Sequence, residues 1–283
     1  MSLKNIMRDS SKFMKKTLVY HLYVGEDCED NIAYDIHKFC LREFLYVFDE
    51  VKLTISLDDL NNIRLRNWGS NWANTLFGSK LTEISYVINT MCRESKTFYN
   101  KVLNNNDDDE LVFFFHSKGT TNFKRDGISN YSVLNWICGS YFFNLSSLYD
   151  TIERVENGIK VFSGAFFVKP SEEEILNYRP FYAGAAQWVN VKGLQNLIRC
   201  GIVEKQECSD RFFAEKYCGR VLSEHDEWGL DYTSNIVIEL GNLGGLVFYN
   251  GSEEDWSYIS ELYGHSDAFK SFICKIKTYV GFE

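Results

Sequence analysis

An amphipathic segment between two strand-like segments near the start of the chain predicts a strand-helix-strand unit. Residues 17–24 (TLVYHLYV) are apolar enough for a strand, and a glycine and an acidic loop follow them. Ile32, Ile36 and Phe39 then recur at helical spacing on one face. Residues 51–57 alternate apolar and polar side chains, which is typical of a second strand. This order predicts a parallel β-α-β start.

The middle of the chain contains its strongest strand signal. A loop rich in Asn and Trp comes first, and the pattern then predicts a helix over residues 80–93 and a short strand over residues 98–103. Residues 104–109 form a turn cluster of Asn and Asp. The continuous apolar run 111–115 (LVFFF) that follows is typical of a central strand buried on both faces.

The second half of the chain continues the alternation of helices and strands. The predicted elements are helices over 131–156, strands over 159–168 and 181–189, helices over 192–200 and 211–222, a β-like tail over 235–249 and a last helix over 266–280. No low-complexity linker or internal repeat marks a boundary, so we expect one domain over residues 1–283. The predicted fold class is α/β, with a mixed, mostly parallel central sheet flanked by helices.

Composition and charge narrow the classes of function. Aromatic residues make up 16% of the chain, which suits stacking on sugar rings and suits core packing equally well. The formal charge of −9 and the pI of about 5.2 do not match the broad basic surface of a nucleic-acid-binding protein, so we expect no nucleic-acid partner. An anionic ligand would need a local basic pocket.

The cysteines and the N-terminus indicate a reduced, cytoplasmic setting. None of the eight cysteines forms a CxxC pair with zinc-site spacing. Residues 1–16 lack the apolar region of a secretory signal. No apolar run approaches the roughly 20 residues that span a bilayer, so we expect any membrane contact to be peripheral, at the inner face of a membrane.

Three predicted strands end in residues that could bind a ligand. Ligands of open α/β sheets bind at the carboxyl ends of the strands, where the loops converge on a crevice. The first strand carries His21 and Tyr23 near its end, and the second is followed by Asp58 and Asp59. The third is followed by residues 116–119 (HSKG). We expect these groups to meet at one edge of the sheet.

The segment HSKG is the most informative of the three. Lys118 offers a point charge for a diphosphate, and His116 can donate a hydrogen bond or a proton. Gly119 lets backbone N–H groups approach an oxyanion, and Ser117 lies between these residues. A surface loop with a solvated lysine explains the same four residues, so spacing alone leaves both interpretations open.

Three segments resemble a family of glycosyltransferases found in capsular-polysaccharide gene sets and some large viruses. Residues 113–122 (FFFHSKGTTN) resemble its hydrophobic strand followed by His-Ser/Thr-Lys-Gly-x-Thr-Asn. Residues 181–189 (FYAGAAQWV) resemble its Phe-Ser-Gly-Asn-Phe-Trp-Trp-Ala segment, and residues 211–219 (RFFAEKYCG) its Arg-Tyr-x-Ala-Glu-x-Trp-Ile-Gly segment. Order and spacing agree over roughly residues 17–225. Rhamnan-synthesis-type glycosyltransferases share a looser version.

The resemblance implies a GT-A-like fold, the nucleotide-diphospho-sugar transferase fold. After an N-terminal extension (1–16), a nucleotide-binding half (about 17–120) would precede an acceptor and catalytic half (about 121–240) and a C-terminal extension (241–283). His21 and Tyr23 would then contact the base of the donor. Asp58 and Asp59 would contact its ribose or a metal, and the segment HSKG would contact its diphosphate.

The resemblance also implies candidates for catalysis and for the sugar. Glu215 aligns with the family's Ala-Glu, so we expect it to take the proton from the acceptor hydroxyl in an inverting transfer, with Asp210 as the second candidate. The alternative is a helix ion pair of Glu215 with Arg211. The candidates for the sugar or acceptor pocket are Trp136, Ser163, Gly164, Gly184, Ala185, Trp188 and Arg211. Trp136 and Trp188 could stack on the sugar or simply fill the core. Ala185 and Ala186 replace an Asn and a bulky aromatic of the family, which implies a wider pocket or an altered activity.

Most enzymes of this fold hold a divalent metal with an Asp-x-Asp motif after a mid-domain strand. In this chain His116, Ser117 and Lys118 take that place, so metal-independent transfer and transfer with Mn²⁺ or Mg²⁺ both remain open. Residues 107–109 (DDD) match the motif but precede the strand, so we interpret them as a solvated turn.

The first hypothesis for function is a hexosyltransferase that moves a sugar from a UDP- or GDP-sugar to a glycan or glycoprotein acceptor in surface-polysaccharide synthesis. The main alternative is a catalytically inactive carbohydrate- or nucleotide-binding protein on the same fold, which the missing Asp-x-Asp and the altered Ala185 and Ala186 favour. A hydrolase that uses Cys138 or Cys208 with His116 is a third, weaker hypothesis because no spacing supports a nucleophile-base pair.

Overall fold

A computed structural model gives the fold of the chain. The residues that it describes are 14–90, 93–117, 120, 130–146, 161–164, 167–168, 181–182, 186–199, 205, 214 and 266–281. The predicted helix at 211–222, apart from Ala214, and the predicted tail at 235–249 lie outside these residues. None of the helices within them is long and apolar enough to cross a membrane.

The described strands build an α/β sheet. They are, in chain order, β1 (Lys15–Tyr23), β2 (Glu50–Leu57), β3 (Leu81–Ile88), β4 (Glu110–His116), β5 (Phe162–Ser163), β6 (Phe167–Val168), β7 (Phe181–Tyr182) and β8 (Gln187–Asn190). Six of them form one sheet in the order β3-β2-β1-β4-β8-β5, and β6 pairs with β7 apart from it. The pairs β1·β2, β1·β4 and β2·β3 are parallel, and β8 runs antiparallel to β4 and β5. The predicted mixed, mostly parallel sheet is confirmed.

Helices cover both faces of the sheet. They are α1 (Ile32–Phe44), α2 (Ile63–Phe77), α3 (Arg93–Phe98), α4 (Asn130–Leu145), α5 (Val191–Arg199) and α6 (Ser266–Val280). Helices α1, α2, α4 and α6 pack in one core cluster with Leu18, Tyr20 and Leu22 of β1. Helices α3 and α5 pack in a second cluster with Val19 of β1 and Phe114 of β4. We call these two sides the α1 face and the α3 face.

Several predicted elements are confirmed with small shifts in their ends. β1, β2, α1, α5 and α6 lie where the pattern predicted them, and α4 accounts for the first part of the helical prediction at 131–156. Every residue of β4 is buried, as expected for a central strand with helices on both faces. The turn cluster before β4 is also present, because the backbone N–H of Glu110 donates to the carbonyl of Asp107 at 3.2 Å.

Other predictions about the elements were wrong. Residues 81–88 form the parallel strand β3 instead of a helix, and residues 98–103 continue α3 into a π-helical turn instead of a strand. The supposed Asn- and Trp-rich loop contains α2, whose first turn is capped by the side chain of Asn62 accepting from the backbone N–H of Leu65. The two long strands predicted at 159–168 and 181–189 are each divided into two short strands.

Candidate functional site

The strand order reverses between β1 and β4. The connection from β1 through α1 leads to β2 on one side of β1, whereas the connection from β3 through α3 leads to β4 on the other side. Open α/β sheets bind ligands at this point, because the loops at the carboxyl ends of the two neighbouring strands diverge and leave a crevice. The first strand and the HSKG strand of the sequence prediction are the two strands that meet here.

Two histidines lie side by side at this crevice. His21 of β1 and His116 of β4 are direct neighbours in the parallel register. Val19 and Phe114, two residues earlier on each strand, lie in the core of the α3 face, and side chains alternate along a strand. Both imidazoles therefore lie on the α3 face, where His21 is 3% and His116 8% exposed.

A hydrogen bond to helix α3 fixes the imidazole of His21. Its Nδ1 and the hydroxyl Oγ1 of Thr97 are hydrogen-bonded at 2.8 Å, and Thr97 is itself buried. The sequence pattern did not predict this contact, because the helix expected over 80–93 and the strand expected over 98–103 leave Thr97 between them. Thr97 is therefore a site residue that sequence reasoning missed.

Ser117 ties the loop after β4 to the end of β1. Its backbone N–H donates to the carbonyl of His21 at 2.9 Å, and its Oγ accepts from the backbone N–H of Tyr23 at 2.9 Å. The hydroxyl of Thr120 donates to the Ser117 carbonyl at 2.9 Å. Lys118 and Gly119 lie outside the described residues. Ser117 before them is bonded to β1, and Thr120 after them is bonded to Ser117.

A carboxylate lies at the same edge of the sheet, after β2. Asp58 accepts from the phenol of Tyr23 at 3.0 Å and from Nδ2 of Asn89 at 2.8 Å, one bond to each oxygen. These bonds connect the ends of β1, β2 and β3. Asp59 instead accepts from the backbone N–H of Asn61 at 2.8 Å, which makes it part of the turn before α2.

The donor atoms at this edge do not match a site for a hard divalent cation. Mg²⁺ and Mn²⁺ favour carboxylate and water oxygens, whereas β4 ends in an imidazole and a hydroxyl where an Asp-x-Asp motif would supply carboxylates. Within the part of the chain that the structure describes, no group of three His, Cys, Asp or Glu is suited to a metal. The described residues therefore do not build an Asp-x-Asp type of site.

The two tryptophans expected at the sugar pocket belong to the core of the α1 face. Trp188 is fully buried, and its Nε1–H donates to the carbonyl of Asn144 at 3.0 Å. Trp136 of α4 is 2% exposed in the same cluster. These rings lie on the opposite face from the histidines and pack in the core, which agrees with a core-filling role. Their assignment to the sugar pocket stays a prediction.

Ser163 and Gly164 lie at the far edge of the sheet, away from the crevice. Ser163 ends β5 and pairs with Trp188 of β8, which separates it from β4 by one strand. Its buried Oγ makes no hydrogen bond within the described residues. Gly164, directly after it, is also buried.

One residue of the segment 211–219 is held on the α3 face. Ala214 is buried on the α3 face, where its carbonyl accepts from Nε2 of Gln187 at 2.9 Å and its N–H donates to Oγ of Ser95 at 3.2 Å. Gln187 is the register partner of Phe114, two residues before His116. Glu215, Asp210, Arg211, Gly184 and Ala185 lie outside the described residues.

Known proteins give no independent assignment. No protein-family model, curated protein or solved structure matches this chain. Function is therefore inferred from the residues at the crevice and from the chemistry that they can perform.

Proposed function

We propose that the chain is a glycosyltransferase with a GT-A-like fold, which transfers a hexose from a UDP- or GDP-sugar to a glycan or glycoprotein acceptor. The observation that supports this most is the pairing of His21 and His116 at the reversal of strand order, next to the segment HSKG. In this proposal the enzyme acts in the cytoplasm in the synthesis of a surface polysaccharide such as a capsule. Contact with a membrane would be peripheral.

The donor would lie along the carboxyl edge of the sheet. Its diphosphate would lie at the end of β4, where His116 and Lys118 supply hydrogen bonds and positive charge within a chain whose net charge is −9. Its nucleoside would lie toward β2, where the carboxylate of Asp58 is held in place by Tyr23 and Asn89 and can accept from a ribose or base. The histidine pair suits an anion at this point, because the N–H of an imidazole can donate a hydrogen bond to a phosphate oxygen.

The acceptor hydroxyl needs a base if the transfer inverts the anomeric configuration. Glu215 is our candidate, and Asp210 is the second. The anchoring of Ala214 by Gln187 and Ser95 supports this, because the residue directly before Glu215 is held on the same face as the histidines. The described donor atoms at the end of β4 do not fit a divalent metal, and in this proposal the positive charge of Lys118 stabilises the leaving diphosphate.

A thermal-shift panel tests the donor site. UDP, GDP, CMP and dTDP are added with and without Mn²⁺, because a ligand that binds only the native state raises its apparent stability. We expect one nucleotide to raise the melting temperature of the wild type and of Lys275→Ala, an exposed control on α6, and to leave Lys118→Ala unchanged. No shift with any nucleotide, or an equal shift in Lys118→Ala, would contradict the proposed site.

The alternative is a catalytically inactive carbohydrate- or nucleotide-binding protein on the same fold. The small residues Ala185 and Ala186, where the resembling family has an Asn and an aromatic, favour this alternative. Release of nucleoside diphosphate from a UDP- or GDP-sugar in the presence of acceptor separates the two. Binding without turnover would favour the inactive protein.

A further inference from the structure

A second candidate site lies away from the crevice, between α1 and α2 on the α1 face. The two helices leave a groove of about 310 Å³. Its walls are formed by positions 31, 34, 35 and 38 at α1 and by positions 68, 71, 72 and 75 on α2. Both sets follow the i, i+3, i+4, i+7 spacing of a single helix face. The volume lies at the lower end of the range for small-molecule pockets.

Aromatic side chains form the base of this groove. The rings of Tyr34 and Trp68 meet edge to face with centroids 4.9 Å apart, and Trp68 is half-buried. Trp72 stacks on Tyr20 beneath it, and 8% of its side chain is exposed. The buried Nε1–H of Trp72 makes no hydrogen bond within the described residues, although buried polar groups normally have a partner. The half-buried ring of Trp68 therefore gives the groove an aromatic surface.

The rim of the groove is polar and carries little net charge. Asn71 and Thr75 are exposed on the α2 side, where an amide and a hydroxyl can both donate and accept. Glu29 and Asp35 place two carboxylates on the α1 side, where Arg64 pairs with Glu29 at 3.2 Å, and Lys38 is the one cation among the lining residues. The lining residues therefore have no excess of positive charge that would favour a phosphorylated ligand.

We propose that the groove binds a neutral carbohydrate. The C–H face of a sugar ring packs on aromatic side chains, and its hydroxyls both donate and accept, which matches the amide, hydroxyl and carboxylate groups of the rim. The site is distinct from the donor crevice in ligand chemistry, and its occupation requires no nucleotide. Its binding function therefore holds whether the chain transfers sugars or only binds them.

Asn31 connects the groove with the loop of the donor crevice. Its Nδ2 donates to the carbonyl of Thr120 at 2.7 Å and to the carboxylate of Asp27 at 3.0 Å, while its Oδ1 accepts from the backbone N–H of Ala33 at the start of α1. A ligand that contacts Asn31 thus touches a residue that also holds the segment after β4. Through the hydrogen bond of Asn31 to Thr120, a bound glycan could change the position of the loop after β4.

The test uses saturation-transfer NMR with the full-length protein and three neutral trisaccharides, namely maltotriose, cellotriose and xylotriose, without nucleotide. Asn71→Trp fills the groove from the middle of α2. Asn74→Trp adds the same side chain at an exposed position of the same helix that does not line the groove, and it serves as the matched control. Both variants are first compared with the wild type by circular dichroism and melting temperature.

We expect a saturation-transfer NMR signal for at least one trisaccharide in the wild type and in Asn74→Trp. The same signal should be at least fivefold weaker in Asn71→Trp. The proposal would be overturned if none of the three sugars gave a saturation-transfer signal, or if Asn71→Trp gave the same signal as the wild type. An equal loss of signal in Asn71→Trp and Asn74→Trp would also overturn it. The thermal shift with the donor nucleotide is recorded on the same samples. It should be unchanged in Asn71→Trp, so that a failure of the groove and a failure of the donor site are told apart.

Discussion

Replacement of Glu110 by Gln should destabilise the fold without touching the donor crevice. Glu110 begins β4, at the opposite end of the strand from His116, and its side chain is fully buried. It accepts from Nζ of Lys52 at 3.0 Å and from the side chains of Thr17 and Asn105. The isosteric amide leaves no cavity, but it removes the charge and places an N–H₂ group among three donors.

The magnitude follows from the loss of one partner of a buried ion pair. Such a loss typically costs about 3–5 kcal/mol, because the other charge remains buried without compensation. The Lys52 side chain is 22% exposed and its ammonium lies 3.3 Å from the Glu50 carboxylate, so we expect the lower end, about 3 kcal/mol. At about 2 °C per kcal/mol for a chain of this size, the melting temperature should fall by roughly 6 °C.

Chemical denaturation followed by circular dichroism measures this loss. Glu83→Gln is the matched control, since Glu83 also lies on a strand and pairs with a lysine, Lys101, but is 42% exposed. An exposed pair contributes about 1 kcal/mol or less. A loss below about 1 kcal/mol in Glu110→Gln, or equal losses in both variants, would refute the reasoning about the buried carboxylate.

Three further predictions concern acidity, thiol reactivity and the catalytic segment. Burial raises the pKa of Glu50, but the neighbouring lysines outweigh burial and hold that pKa below its usual 4.5. The stability lost in Glu50→Gln should therefore be constant well above pH 4.5. In acid-unfolding curves, this loss should vanish as the pH falls through the lower native pKa of Glu50. Burial raises the pKa of the Cys28 thiol to about 11, so iodoacetamide at pH 8 should alkylate exposed Cys274 first, and equal labelling in peptide mass spectra would contradict this. Ser95→Ala frees the N–H of Ala214, and we expect transfer about tenfold slower with unchanged nucleotide affinity, whereas an equal loss of both would contradict a positioning role.

The sequence predicted those parts of the fold in which the pattern and the burial agree. The run 111–115 is apolar at every position because β4 has a helix layer on each side. The sequence did not predict helix α2, because its polar face is rich in Asn and because Gly69 in its middle lowers the helix propensity. A Cβ at Gly69 would lie 3.2 Å from Cγ2 of Val24 and 3.3 Å from Cδ1 of Ile55, so glycine there permits close packing of helix on sheet. The helix propensity of a glycine gives no information about this packing between the helix and the sheet.

The candidate site was only partly predictable for a similar reason. His21, Asp58 and His116 each end a recognisable strand, so their meeting at one edge followed from the α/β pattern. The bond from Thr97 to His21 and the anchoring of Ala214 depend on where α3 packs, which periodicity does not encode. In the sequence, Trp188 suits a sugar site and a core equally well, and only the packing of β8 shows that its ring lies in the core of the α1 face.

The most direct test of the central claim is the affinity of the nucleoside diphosphate identified in the panel, measured by isothermal titration calorimetry on the wild type and on His116→Asn. Circular dichroism and melting temperature confirm first that the variant is folded. The account predicts an affinity at least tenfold weaker in the variant, equal to about 1.4 kcal/mol, because the diphosphate loses its partner at the end of β4. An affinity within twofold of the wild type would mean that the diphosphate does not bind at the β1–β4 crevice.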